Sequence, residues 1–270
     1  MNSGMISDLG NILNQANKPV WPATLPANVV KTTRNGASGN VLLVCEHASR
    51  FIPAGLASLG LSEEASRSHI AWDPGALKVA ELLSESLDAT LVSHKISRLV
   101  YDCNRPPSSP HAVREVSEVF NIPGNTGLTE SERHERTTHI YEPFRKALET
   151  QIKTRAETVL VTIHTFTPVY NGAPRAVEIG ILHDADSRLA DAMLEAAAAN
   201  PAYRTERNQP YGPADGVTHT LVEHAAPAGL LNAMIEIRND LVWTEKDQAK
   251  VAAWLGDILT SALNALVEES

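Results

Sequence analysis

Two histidines, two glutamates and several arginines stand at the boundaries of apolar runs in this chain. Their types are those that hold a metal ion, move a proton and bind a carboxylate. Glu46 and His47 follow the run from Asn40 to Cys45. His164 closes a run from Thr158. Glu236 stands near the end of Leu231 to Ile237, with Arg238 after it, and Asp102-Cys103-Asn104-Arg105 ends a run that begins at Arg98. His47 and His164 could supply two imidazole nitrogens to Zn²⁺, with a carboxylate as third ligand and the fourth position open for water. Such an ion brings the pKa of its water to roughly 7. Glu236 could then serve as the general base that takes the water proton and returns it to a leaving amine. Arg98, Arg105 or Arg238 could bind a substrate carboxylate, because the guanidinium fork matches its two oxygens.

Each residue also has an ordinary structural reading. A histidine at a strand end can simply be hydrogen-bonded. Glu236 and Arg238, two apart, share one strand face and have the spacing of a sheet-edge ion pair. Asp102 and Arg105 could close a turn. The chain has no HExxH and no CxxC pair, and its one HxxE, His139 to Glu142, falls inside an expected helix as a solvated pair. Ser49 lacks the Gly-x-Ser-x-Gly setting of a serine hydrolase.

The elements that must position these groups alternate in type. Residues 1–39, with Pro19, Pro22, Pro26 and Arg34-Asn-Gly-Ala-Ser-Gly39, read as an N-terminal extension, and residues 40–270 as one domain. Strands are expected at Asn40 to Cys45, Thr90 to Val92, Arg98 to Cys103, Thr158 to His164, Ala176 to Leu182 and Leu231 to Ile237. Ser62 should cap a helix whose first turn carries Glu63 and Glu64. Pro74 to Leu87 has helical spacing with Pro in its first turn. Thr129 with Glu132 forms a capping-box pattern and opens a helix to about Arg155. Ser187 to Ala199 and Thr244 to about Val267 complete the helices. This alternation predicts an α/β fold, a largely parallel or mixed sheet with helices on both faces and ligands gathered at the C-terminal strand ends. Gly212 to Thr220 reads as a loop that could cover a substrate or could be ordinary surface.

Composition narrows the classes. Among 270 residues, 43% are apolar and 20% charged, with a net charge of −9. An acidic chain without a basic face is not a nucleic-acid binder. No run approaches the ~18 apolar residues of a membrane helix, so no membrane partner is expected. Cys45 and Cys103 lie inside apolar runs and read as buried thiols, which suits a reducing compartment, and no secretory pattern opens the chain, so the cytoplasm is the expected location.

Five segments taken in order resemble the motifs of the N-formylglutamate amidohydrolase family: Glu46-His47-Ala48-Ser49 with Ile52-Pro53, Ala71-Trp72-Asp73-Pro74-Gly75-Ala76, Ser97 to Pro106, Thr162-Ile163-His164-Thr165-Phe166, and Ile235 to Asp240. The resemblance implies a three-layer α/β/α domain like that of zinc carboxypeptidases and zinc amidases. It also implies hydrolysis of N-formyl-L-glutamate or a similar N-acyl amino acid, a small-molecule carboxylate. It assigns Asp102, Asn104 and Arg105 to the stretch that grips the substrate carboxylate. The carboxypeptidase pattern of a His followed three residues later by a Glu fails here, since Arg50 occupies that place. Asp73 is the carboxylate the wider group suggests as third ligand, with Glu46 as rival. Cys103 stands where the family motif carries Leu, which implies a divergent branch and leaves the acyl group and amino acid open.

Overall fold

A computed structural model describes residues 25–154 and 159–268. Pro19, Pro22 and the rest of residues 1–24, and Arg155, lie outside the described residues. Val, Leu and Ile dominate the central strands, which are buried from end to end, as strands covered on both faces must be. In chain order the strands are β1 (Val30–Thr33), β2 (Val41–Cys45), β3 (Thr90–His94), the short hairpin β4 (Val116–Ser117) and β5 (Phe120–Asn121), β6 (Val159–Phe166), the hairpin β7 (Val169–Tyr170) and β8 (Ala173–Pro174), β9 (Ile179–Leu182), β10 (Thr205–Arg207) and β11 (Asn232–Arg238). The seven-stranded sheet runs β1-β3-β2-β6-β11-β9-β10. Its centre, β3-β2-β6-β11, is parallel, while β1 and β9 pair antiparallel with β3 and β11.

The helices are α1 (Glu63–Arg67), α2 (Ala76–Ser86), α3 (Glu130–Arg136), α4 (Glu142–Lys153), α5 (Arg188–Ala199) and α6 (Glu245–Glu268). On one face, Leu43, Val161, Ile163 and Ile235 pack against α2, α5 and α6. On the other, Leu42, Val44, Leu160 and Met234 pack against α4 and the irregular stretch holding Leu99, Tyr101 and Ile122. This is the expected mixed α/β/α sandwich. Among the described residues α6 alone has the length and composition to cross a membrane, yet it buries Val251, Leu255, Ile258 and Leu259 in this core. Cys45 and Cys103 are both buried free thiols.

The capping expectations hold where side chains can be checked. Ser62 Oγ accepts from Ala65 N at 3.1 Å, Thr129 and Glu132 bond each other's backbone, and Thr244 Oγ1 accepts from Asp247 N at 3.2 Å.

Four expectations differ from the structure. Arg98 to Cys103 is not a strand. Leu99, Val100, Tyr101 and Cys103 are all buried, but local bonds fold the stretch into turns: Val100 N to Ser97 O at 2.9 Å and Arg105 N to Asp102 O at 3.1 Å. The helix after Thr129 is interrupted by a π-helical turn at Thr137–Tyr141, which separates α3 from α4. Pro74 precedes α2 rather than entering it, because Gly75 is the N-cap at φ 86. A Cβ there would meet Val242 Cγ2 at 2.6 Å, so only glycine fits this close approach. Finally Val30–Thr33, read as part of the extension, is an edge strand of the sheet, bonded to β3.

Candidate active site

The sheet face that meets α4 turns polar at the C-terminal ends of its strands. Ile163 and Ile235 point into the opposite core, so the alternating His164 and Glu236 point to this face. His47 stands two residues past Cys45, the last residue of β2. Asp73 enters from the turn ahead of α2, its N–H donating to His47 O at 2.9 Å.

Three atoms meet there. His164 Nδ1 lies 3.1 Å from His47 Nδ1 and 2.9 Å from Asp73 Oδ2, and His47 Nδ1 lies 3.2 Å from the same oxygen. The far edges of both rings face carboxylates: His47 Nε2 bonds Asp102 Oδ1 at 2.8 Å, and His164 Nε2 lies 3.0 Å from Glu46 Oε2, an ion-pair contact outside hydrogen-bond geometry. A carboxylate only accepts, so a neutral ring protonated on Nε2 would turn the lone pair of Nδ1 toward the centre. Atoms this close need a positive charge between them, either a proton on His164, which then donates to Asp73 Oδ2 at 2.9 Å, or a metal ion shared by all three. A tetrahedral ion with N and O ligands at ~2.0–2.2 Å spaces those atoms roughly 3.3–3.5 Å apart, close to what is seen. The donor set therefore fits a divalent cation of the zinc type, with carboxylates behind both imidazoles.

The charges agree with this arrangement. Burial acts to raise the Asp73 and Asp102 carboxyls, but His47 and Arg98 beside them hold both well below the usual range. Arg98 links the two, Nη1 to Asp73 Oδ1 at 3.3 Å and Nη2 to Asp102 Oδ2 at 3.0 Å. Burial would lower His164, yet Glu46 and Asp73 push it well above the ordinary imidazole value. Glu46 itself is lowered, because His164 outweighs the burial that opposes ionisation. Glu236 behaves differently. Burial pushes it up to about 7 against the pull of His164, and its Oε2 has no hydrogen-bond partner. A carboxyl poised near neutrality beside a cation site can take and return a proton.

All four of these groups, His47, Asp73, His164 and Glu236, line one cavity of ≈ 290 Å³. Arg98, Asn104 and Arg105 line it too, whereas Arg238 does not. Arg238 is tied to Asp240 (2.8 Å), Glu178 (3.5 Å) and the carbonyl of Arg175 (3.2 Å), the sheet-edge ion pairing its spacing also allowed. Asn104 spends its amide on backbone: Nδ2 donates to Val217 O at 2.5 Å and Oδ1 accepts from Thr220 N at 3.0 Å. Arg105 Nη1 donates to Asn104 O and Gly216 O, and no carboxylate of the described residues pairs with it. Together these two residues draw the 212–220 segment against the site, where Asp215 and Val217 form part of the wall.

Sequence reasoning did not single out Arg114, Arg175 or Tyr211. Arg114 reaches the cavity from an irregular loop with no periodic pattern. Arg175 packs over the rings of Phe166, Tyr170 and Tyr211 at 5.4, 4.6 and 4.8 Å, bracing an aromatic wall. The β4–β5 hairpin closes another side, with Glu118 bonded to His69 at 2.6 Å.

On a mixed α/β/α sandwich, a buried His-Asp-His cluster lies beside a raised glutamate, an arrangement that suits a hydrolase. Residues 39–243 match the family model described as N-formylglutamate amidohydrolase, and the chain belongs to that family. It is similar to gene product Atu2144 from Agrobacterium tumefaciens, at 55% identity and TM-score 0.87, over 89% of this chain and 96% of that one. The fold also resembles N-formylglutamate amidohydrolase from Ralstonia eutropha JMP134, at 18% identity and TM-score 0.57, over 87% of this chain and 97% of that one. No curated protein matches.

Proposed function

We propose that this amidohydrolase is zinc-dependent and cleaves the amide of an N-formyl or other short N-acyl amino acid, with N-formyl-L-glutamate as the first candidate, releasing the acyl acid and the free amino acid. The observation that carries this reading is the convergence of His47 Nδ1, Asp73 Oδ2 and His164 Nδ1 within 3.2 Å, with the carboxyl of Glu236 beside them in one small cavity.

His47, Asp73 and His164 would hold the ion. When bound, it supplies Lewis acidity to the amide carbonyl and to the attacking water. Glu236 takes a proton from that water and gives it to the departing amine nitrogen. Asp102 and Glu46 fix the orientation of the two imidazoles from behind. Arg98 keeps Asp73 and Asp102 ionised. Arg105, buried without an acidic partner, pairs with the substrate carboxylate. Asn104 acts at one remove, holding the 217–220 backbone that Arg105 leans on.

A cavity of ≈ 290 Å³ sits at the small end of the ~300–1,000 Å³ range of small-molecule sites, which favours an amino-acid derivative over a cell-wall peptide. A metal-free carboxylate-binding protein would have no use for a raised glutamate beside two paired imidazoles. The buried thiols Cys45 and Cys103 suit a cytoplasmic location. Elemental analysis of the purified protein, paired with hydrolysis assays on N-formyl, N-acetyl and N-succinyl amino acids, tests the reading. About one zinc per chain and turnover of one of these series are expected. No bound metal and no turnover after zinc addition would leave only the binding protein.

A further inference from the structure

Arg114 has one ion-pair contact among the described residues, to an Asp102 carboxylate already shared by Arg98 and His47. It follows the 3₁₀ turn Pro110–Val113, and its side chain, 24% exposed, lines the cavity. Among the described residues its guanidinium makes no hydrogen bond, and its nearest carboxylate oxygen is Asp102 Oδ2 at 3.8 Å. That oxygen already receives Arg98 Nη2 at 3.0 Å, and the other Asp102 oxygen receives His47 Nε2 at 2.8 Å and Asn104 N at 3.0 Å. Burial lowers the Arg114 guanidinium, Arg98 and Arg105 push the same way, and Asp102 opposes them without prevailing. A largely buried cation in this position calls for a counter-ion.

The backbone around it is nevertheless held firmly. Arg114 O accepts from Asn125 Nδ2 at 2.7 Å, Arg136 Nη1 donates to Asn125 Oδ1 at 2.7 Å, and Arg133 Nη1 donates to Val113 O at 2.9 Å. The fold thus pins the main chain on both sides while leaving the guanidinium unspent. That is how a ligand-binding group is preorganised. Arg238 is unavailable for the same task, since its donors are committed to Asp240, Glu178 and backbone carbonyls away from the cavity.

We propose that Arg114 is a specificity-determining residue that seats a second anionic group of the substrate, separate from the carboxylate taken by Arg105. The assignment rests on the proposed hydrolysis of an N-acyl amino acid, and it selects substrates whose side chain carries its own carboxylate. Two forks at different points of one wall read two carboxylates, whereas a ligand with only one leaves Arg114 uncompensated.

Calorimetric titration of the metal-loaded protein with glutarate and with pentanoate tests this directly, because the two differ in the second carboxylate. The parent should bind glutarate about 10- to 100-fold more tightly, the worth of one charge-assisted pair. In Arg114→Gln that ratio should fall to near 1. Should Arg114→Gln fail to fold, Arg114→Lys keeps the charge and loses the fork, and its ratio should still fall several-fold. A parent ratio near 1, or a variant that keeps the parent ratio whatever its absolute affinities, overturns the proposal. With N-formylglutamate and N-formylnorvaline, the loss should appear in the ratio of kcat/KM values and mainly through KM. If no N-acyl amino acid is hydrolysed but the glutarate preference depends on Arg114, the proposed reaction falls and the assignment stands. If hydrolysis proceeds with discrimination independent of Arg114, the assignment falls and the reaction stands.

Discussion

His164 on β6 and Glu236 on β11 are register partners across adjacent parallel strands. Register partners project to the same face of a sheet, so the backbone ladder itself fixes the proton-carrying carboxyl next to a candidate metal ligand. Neither residue depends on a loop for its position. This proposed ligand and base are therefore as rigid as the centre of the sheet, and substitutions there should change chemistry more than folding.

Glu236→Gln is the most direct test of that pairing. The amide keeps the shape and cannot carry the proton. Hydrolysis should drop about 10²- to 10⁴-fold while metal content stays at the parent level. Measured kcat together with elemental analysis checks both halves. A rate within a few-fold of the parent would remove Glu236 from the mechanism.

Asp102→Asn probes the support behind His47. Asp102 Oδ1 bonds His47 Nε2 at 2.8 Å and its other oxygen holds Arg98, so neutralising it weakens the basicity of the imidazole and frees the guanidinium. Metal affinity or activity should fall by roughly 10- to 100-fold. Chelator competition gives the affinity, and parent-like zinc binding would show that Asp102 is only a structural acceptor.

Metal removal should silence the enzyme and also loosen the fold. Chelation takes away the ion that would join His47, Asp73 and His164, and zinc should restore activity. With free zinc at about 100 times its dissociation constant, the folded state should gain about 2.7 kcal/mol. Differential scanning fluorimetry with and without zinc reads this as a rise of several degrees in Tm. An unchanged Tm alongside unchanged activity would argue that no ion binds at His47, Asp73 and His164.

His94 gives a prediction in pH. Burial lowers it to about 4 from an ordinary 6.5, with Nδ1 donating to Ile96 O at 3.0 Å. Between those values the unfolded chain binds a proton that the folded chain refuses, so this contribution to stability is present above about 6.5 and is lost as pH falls toward 4. Its full size is about 3 kcal/mol. Burial moves Glu236 the other way, from 4.5 up to about 7, so its contribution opposes that of His94 over part of the same range. Comparison with His94→Gln isolates the histidine: urea midpoints of the parent should fall more steeply than those of the variant between pH 6.5 and 4. Parallel pH profiles would show that His94 does not titrate in this way.

The sequence alone was enough to place His47, His164 and Glu236 at the C-terminal ends of buried parallel strands, because apolar runs ending in polar residues are a local pattern that a covered sheet imposes. It was also enough for the layered α/β fold and the helix caps, which depend on residues three or four apart. Tertiary structure decided what depends on distant neighbours. Glu46 and Asp73 both approach His164, but Glu46 stands 3.0 Å from Nε2 and Asp73 2.9 Å from Nδ1, the nitrogen that faces His47. No spacing along the chain says which edge of a ring a carboxylate will meet. The stretch 98–103 folds into turns because its backbone bonds go to Ser97 and Ala112 rather than to a neighbouring strand, which a strand-like composition does not reveal. Arg114 reaches the cavity and Arg238 does not, since one side chain's donors are left free by the packing and the other's are consumed by Asp240 and Glu178. A guanidinium's role is set by the partners within reach, and only the folded chain determines those.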